Sequence, residues 1–267
     1  MSGVYHYSID TLIKKLEFYT KKGLKSVLLF SVPDIKDVRH AYSKDGIIQK
    51  SVPVIKKEFP DLEVITDVCI CSYTEDGHCH IGDNDKTCDL LADIAVSHAV
   101  EGADIVAPSD MMDGRVYCIK QKFKKNNYKN TQILSYSAKY ASRFYGPFRE
   151  AANCSPQIGD RRSYQMDYCN SIEAMEEIAA DINEGADQVM IKPAMCYLDI
   201  VNKAKNRFKV PIVVYNVSGE YLMIKSSIDK GINPPDIILE VLTSIKRAGA
   251  DRIITYFVPN MLKVLND

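Results

Sequence analysis

Three places along the chain repeat one run of apolar and polar positions, in which a helical pattern ends at Gly, Ala-Asp follows, and an apolar strand begins. They are EGADIVAPSD from Glu101, EGADQVMIKP from Glu184 and AGADRIITYF from Ala248. Glycine suits the left-handed residue that ends a helix, and the β-branched run after it suits a strand buried on both faces. KKGLKSVLLFSV from Lys21 is a looser fourth copy. LEVITDV from Leu62, TQILSYS from Thr131 and VPIVVYNVS from Val210 bring the strands to seven. Between them the spacing predicts helices, among them 10–22, 86–100, 172–183 and 236–248. Strands alternating with helices imply a parallel sheet. The unbroken rhythm predicts an α/β fold of the TIM-type (β/α)8 class, one catalytic domain over 1–267, with its active site at the C-terminal strand ends. Seven strands are recognisable where a full barrel has eight. An open doubly wound sheet is the alternative, but no Gly-rich turn follows a strand.

Composition narrows the function more than it changes the fold. A chain of 267 residues, 46% hydrophobic, can bury a large core. Its net charge is −1, and its cationic cluster, KQKFKKNNYKN at 120–130, reads as the end of a solvated helix, so neither a nucleic-acid nor a membrane partner is expected. No apolar run approaches the roughly 18 residues that span a bilayer, and MSGVYHYSID lacks the regions of a signal peptide. The cytoplasm is the expected compartment, where the eight cysteines stay reduced.

In a barrel, the polar residues just past each apolar run share one mouth. Here they are Asp67, Ser109 and Asp110, Ser137 and Lys139, Lys192, Ser218, and Tyr256. Lys139 in SYSAKY and Lys192 in VMIKPA follow their strands too closely for ordinary surface lysines. Burial and a second cation lower an ammonium's pKa, and a neutral amine attacks a ketone to form a Schiff base. Each lysine alone reads more readily as an anion clamp or a snorkelling side chain; two at the strand ends of one barrel bring the Schiff-base reading level with that. The segment 145–167, rich in Gly, Pro, Arg and Asn, is expected to be an irregular lid. Arg143, Arg149, Arg161 and Arg162 lie in or beside it, and their planar forks match a carboxylate.

The stretch DVCICSYTEDGHCH at 67–80 places Cys69, Cys71 and Cys79 beside His78 and His80. A disulfide, a zinc site closed by a histidine, an open catalytic metal site and buried thiols without metal are the alternatives. Three thiolates with an open fourth position suit the loop best, because the histidines flank Cys79 awkwardly for joint ligation.

These segments together resemble the porphobilinogen synthase, or 5-aminolevulinate dehydratase, family across almost the whole chain. TDVCICSYTEDGHC resembles its zinc segment, SYSAKYASRFYGPFREAA and MIKPAMCYLDI its two lysine motifs, and IGDRRSYQMD its lid. APSDMMDGRV, YNVSGEY and RAGADRIITYF are similar to its other strand ends. The resemblance implies asymmetric condensation of two 5-aminolevulinate molecules to porphobilinogen for tetrapyrrole (haem) synthesis, with loss of two waters. It implies that Lys192 binds the first substrate and Lys139 the second. Ser218 and Tyr256 would take one carboxylate, and Arg149, Arg161 and Gln165 the other. Asp67, Ser109, Asp110 and Tyr145 would line the substrates. Catalytic zinc on Cys69, Cys71 and Cys79 is implied, with Glu177 a candidate ligand of allosteric magnesium. A second metal site of some relatives has a cysteine where Ser163 stands, so that site is not expected. The match begins at SGVYHYSID, without the family's N-terminal arm and first strand. A homo-oligomer is implied, but the family's octamer is linked to that arm. A single-lysine Schiff-base aldolase and a ligand-binding paralogue without activity are the competing functions.

Overall fold

The computed structural model describes residues 1 and 3–264. Its sheet has seven parallel strands in chain order: β1 (Ser26–Leu29), β2 (Glu63–Val68), β3 (Ile105–Pro108), β4 (Gln132–Lys139), β5 (Gln188–Lys192), β6 (Ile212–Asn216) and β7 (Arg252–Thr255). All seven fall on the expected apolar runs. Before β1 lies helix α1 (Ile9–Thr20), and α2 (Ile47–Glu58), α3 (Asn84–Val100) and α4 (Arg115–Lys125) follow the first three strands. Short α5 (Gly146–Ala151) and then α6 (Glu173–Glu184) follow β4; α7 (Leu198–Arg207) follows β5; α8 (Ser218–Asp229) and α9 (Ile237–Ala248) follow β6; and α10 (Val258–Val264) follows β7. The strands thus form a nearly closed barrel inside a ring of helices.

The repeated Gly-Ala-Asp phrase has a structural reason at each residue. Gly102, Gly185 and Gly249 all have positive φ, at +97°, +111° and +127°, as a chain leaving a helix requires. The aspartates are used just as regularly. Asp104, Asp187 and Asp251 each accept, at 2.8 Å, the first free N–H of the strand before, from Val64, Ile133 and Ile212. Each also pairs with a lysine of an outer helix: Lys56, Lys120 and Lys205. The repeat therefore stitches the N-terminal barrel edge, where backbone donors would otherwise lack partners.

Side chains alternate across this sheet, so residues two apart share a face. Ile65, Leu134, Tyr136, Met190, Val213 and Tyr215 fill the interior, while Val106, Ile133, Val189, Ile191 and Val214 pack beneath the helices. By that alternation Lys192 faces inward with Met190, whereas Lys139 would face outward with Ile133. A bulge reverses this. Ser135 pairs with Val189 but Ala138 pairs with Ile191, so β4 carries one extra residue against β5. The shift sets Lys139 directly beside Lys192.

No pairing joins β7 to β1 among the described residues. Arg252 crosses the seam at one end, donating to Ser26 Oγ at 3.1 Å and to the Glu63 carboxylate. Above it lies a cavity of about 520 Å3 lined by Leu28, Ile65, Val213, Ile254 and Tyr256. The expected lid segment is not irregular throughout. A turn at Arg143–Tyr145 leads into it, and its start forms the short helix Gly146–Ala151, with Pro147 in the first turn, where a missing N–H costs nothing. Among the described residues no helix is long and apolar enough to cross a membrane.

Candidate active site

The lysines end neighbouring strands, and Asp67 stands on β2 across the mouth. Lys139 Nζ donates to the Ser109 carbonyl. Lys192 Nζ is caged by aromatic rings, 4.4 Å from the centroid of Tyr215, 5.1 Å from Tyr145, 5.2 Å from Tyr136 and 5.4 Å from Phe148. Such faces attract a cation by about 0.5–2 kcal/mol each, but removing an ammonium from water costs several kcal/mol. Desolvation wins: burial, with Lys139 alongside, lowers Lys192 from 10.5 to about 7. Burial also raises Asp67 to about 6, against the pull of both lysines, and its Oδ1 has no hydrogen-bond partner. The mouth thus holds an amine and a carboxyl that both change protonation near neutral pH.

The thiols lie on the loop after β2. Instead of staying extended, the chain turns at Ile70, and the Cys71 N–H faces Cys69 Sγ at 3.5 Å. The sulfurs of Cys69, Cys71 and Cys79 lie within 4.8 Å of one another, and all three residues are buried. Both histidines are engaged elsewhere. His78 contacts the Tyr164 hydroxyl at 3.0 Å through Nδ1 and the Ile158 carbonyl at 2.9 Å through Nε2, while His80 Nδ1 accepts from the Gly82 N–H at 3.1 Å. The donor set is therefore purely thiol and suits a thiophilic divalent ion such as zinc.

The lid is folded down on this loop. Arg161 Nη2 donates to the carbonyls of Gly77 and Cys154, each at 2.7 Å, and the Gln157 N–H reaches the Asp76 carbonyl at 2.9 Å. Gly77 has φ +71°, and a Cβ there would lie 2.4 Å from the Ser155 carbonyl oxygen, so glycine permits the approach. Arg149 Nη2 donates to Gln165 Oε1 at 3.4 Å, yet Arg149 Nε, Arg161 Nε and Gln165 Nε2 are buried donors without acceptors. Burial and the neighbouring Arg161 lower Arg149 below its ordinary value. Orphaned donors on two arginines and a glutamine form a cradle that an incoming carboxylate would satisfy.

One cavity brings together Asp67, Cys69, Cys71, Ser109, Lys139, Tyr145, Arg149, Arg161 and Lys192, with a volume of about 30 Å3. A space that size holds about one water. The Ser218 hydroxyl is likewise occupied, donating to the Phe144 carbonyl at 3.2 Å and accepting from the Phe148 N–H at 3.1 Å. The Tyr256 hydroxyl meets that of Tyr215 at 3.1 Å. Asp110 lies outside this cavity, accepting from the Met112 N–H at 2.7 Å beside buried Arg115. Glu177 lines a different hollow with Asn84, Asp113 and Glu173. Arg143 and Arg162 line a second hollow with Arg149, Arg161 and Gln165.

Three kinds of contributor were not anticipated from the sequence. Phe148 and Tyr136 supply part of the aromatic cage, and buried Glu220 accepts from the N–H groups of Ala194, Met195 and Val217, fixing the turns after β5 and β6. The third is Cys154, fully buried in one apolar cluster with Cys69, Cys71 and Cys79. A thiol near the centre of the segment 145–167, in ANCSP, was its only signal.

Fold and site define a parallel α/β barrel whose lid-covered mouth presents paired lysines beside a thiol cluster. The family model for delta-aminolevulinic acid dehydratase matches residues 1–264. A protein of that name from Methanothermus sociabilis is 53% identical over 98% of this chain and 84% of its own, and one from Bacillus subtilis is 47% identical over 99% and 84%. The chain belongs to the delta-aminolevulinic acid dehydratase family. The Toxoplasma gondii enzyme, solved with the reaction product porphobilinogen, superposes with a TM-score of 0.96 at 40% identity, covering 98% of this chain and 78% of that one.

Proposed function

We propose that this chain is a lyase, a porphobilinogen synthase that condenses two molecules of 5-aminolevulinate with loss of two waters through Schiff bases on Lys192 and Lys139. The observation that carries this reading is the register of β4 against β5, where a bulge sets two lysines side by side under a cage of rings. A single-lysine aldolase could use the second amine to depress the first, but it has no use for the thiol cluster that shares the mouth.

Lys192, held near pH 7 by burial and by Lys139, is available as a neutral nucleophile. Its attack on the ketone of the first substrate expels water and leaves an iminium that acidifies the neighbouring carbon. Lys139 activates the second ketone in the same way and loses the second water. The acidified carbon of the second substrate then bonds to the iminium carbon on Lys192, whose amine leaves. The amino group of the first substrate displaces Lys139 to close the ring, and a final proton loss gives the pyrrole. Asp67, raised to about 6 and facing both amines, serves as the proton carrier between them. Arg149, Arg161 and Gln165 clamp the second carboxylate as the lid closes, while Ser218 and Tyr256 receive the first, and Ser109 and Tyr145 line the substrates. Cys69, Cys71 and Cys79 would hold zinc, which when bound supplies a Lewis acid at the mouth.

Asp110 acts from behind the site by holding the turn after β3 through the Met112 N–H. Glu177 is a candidate magnesium ligand. We place the protein in the cytoplasm, where its free thiols stay reduced, and infer a homo-oligomer, because the apolar seam between β1 and β7 offers a surface for another chain. Incubation with 5-aminolevulinate and zinc should give porphobilinogen, read colorimetrically, and borohydride should trap substrate on both lysines. Trapping without product would instead support a ligand-binding paralogue.

A further inference from the structure

We propose that Cys154, carried on the lid, is a fourth thiolate ligand of the metal centre, so that the substrate-free, lid-closed protein holds its ion with four sulfurs. This rests on the reading of Cys69, Cys71 and Cys79 as metal ligands. Four buried cysteines form one cluster whose remaining buried member is Ala152. Cys154 is fully buried and packs in the same cluster as the three loop thiols. The mutually close donors are the three loop thiols, so a fourth bond requires the Cys154 sulfur to shift toward them when an ion binds.

The lid is built to deliver it. Arg161 ties the Cys154 carbonyl to that of Gly77 with one nitrogen, and the Cys154 N–H is fixed on the Arg149 carbonyl at 3.0 Å. The absence of a side chain at Gly77 admits the backbone of residues 154–155 against the metal loop. No histidine competes, since His78 and His80 are committed elsewhere. Four thiolates leave a divalent ion with a net charge of −2, and Arg161 is the buried cation that faces them. Closed tetrahedral coordination excludes water from the ion. Lifting the lid for substrate removes the fourth ligand and opens the position, so one movement both admits the substrate and exposes the metal.

X-ray absorption at the zinc edge of the substrate-free, zinc-loaded protein tests this. The expected first shell is four sulfurs at about 2.3 Å, falling to three sulfurs and one lighter atom in Cys154→Ser and on adding 5-aminolevulinate to the unaltered protein. Cobalt loading should agree, with thiolate-to-metal absorption about a quarter weaker in the variant if each sulfur contributes equally to it. Three sulfurs and a lighter atom in the unaltered protein overturn the role of Cys154 while leaving the three-thiol site standing. Failure of the unaltered protein to retain zinc overturns both. The sulfur count of the unaltered protein decides the matter even if the variant does not fold, and Cys154→Ala provides a second test by faster zinc loss to a chelator.

Discussion

The lysine pair and the thiol cluster line one cavity but are held by different means. Lys139 and Lys192 end adjacent strands whose register is set by a row of backbone pairings. The thiols sit on a loop pinned by a few bonds to another loop, those of Arg161, Gln157 and His78. Strands locate atoms precisely and do not move, whereas loops move at little cost. The barrel therefore keeps the covalent chemistry, and the lid and metal loop carry whatever must open and close.

The largest effect should come from the rigid half. Lys192→Met and Lys139→Met should each lower turnover by about 10⁴-fold or more, the range for removing a covalent nucleophile. They should differ in trapping: Lys139→Met keeps the borohydride adduct on Lys192. An adduct on neither lysine in the unaltered protein would reject both roles. Next comes Cys71→Ser, which should drop metal affinity by more than about 100-fold and abolish rescue of chelated enzyme by zinc, while leaving the adduct on Lys192 intact. Loss of trapping in this variant would mean that the halves are not separable as argued.

The lid arginine ranks third. Arg149→Gln removes a charge-assisted hydrogen bond worth about 1.5–3 kcal/mol, so kcat/KM should fall by about 10- to 150-fold, with most of the change in KM. An unchanged KM would remove Arg149 from the carboxylate cradle. Gly77→Ala should act more weakly and only on the mobile half. Its Cβ would push against Ser155, and its left-handed backbone costs about 1–2 kcal/mol for a residue with a side chain. Faster cleavage of the lid by protease is expected, with trapping on Lys192 unchanged. Equal protease sensitivity would show that the 77–155 contact does not hold the lid.

The same division governs how much was legible in the sequence. The strands and most helices follow from apolar periodicity, because burial on both faces of a parallel sheet leaves continuous apolar runs. Lys192 could be placed by alternation along β5, but Lys139 could not, since its orientation depends on a one-residue bulge that leaves no apolar signature. The aspartates of the repeat were visible, yet their bonds to Val64, Ile133 and Ile212 cross between strands far apart in sequence. Cys154 was hidden for the same reason, separated from Cys71 by two whole strands and their helices. Local pattern reveals elements, whereas sites made by contact between distant loops need the fold.

The smallest effect tests what the rigid half costs the protein. Lys192 titrates near 7 in the folded chain and at its ordinary 10.5 when unfolded. Between those values the unfolded chain holds a proton that the folded chain lacks, so stability rises with pH across that window, and the lysine is most destabilising at and below pH 7. Lys192→Met replaces a desolvated amine with an apolar chain of similar length, a change that is neutral to stabilising by about 1–4 kcal/mol. At pH 7 this inactive variant should therefore melt a few degrees above the unaltered protein, and the difference should shrink toward pH 10. A constant difference across that range would mean that Lys192 is not held neutral by burial. A narrowing one would show that the amine's readiness for attack is maintained at the expense of fold stability, which a loop-borne thiol site need not sacrifice.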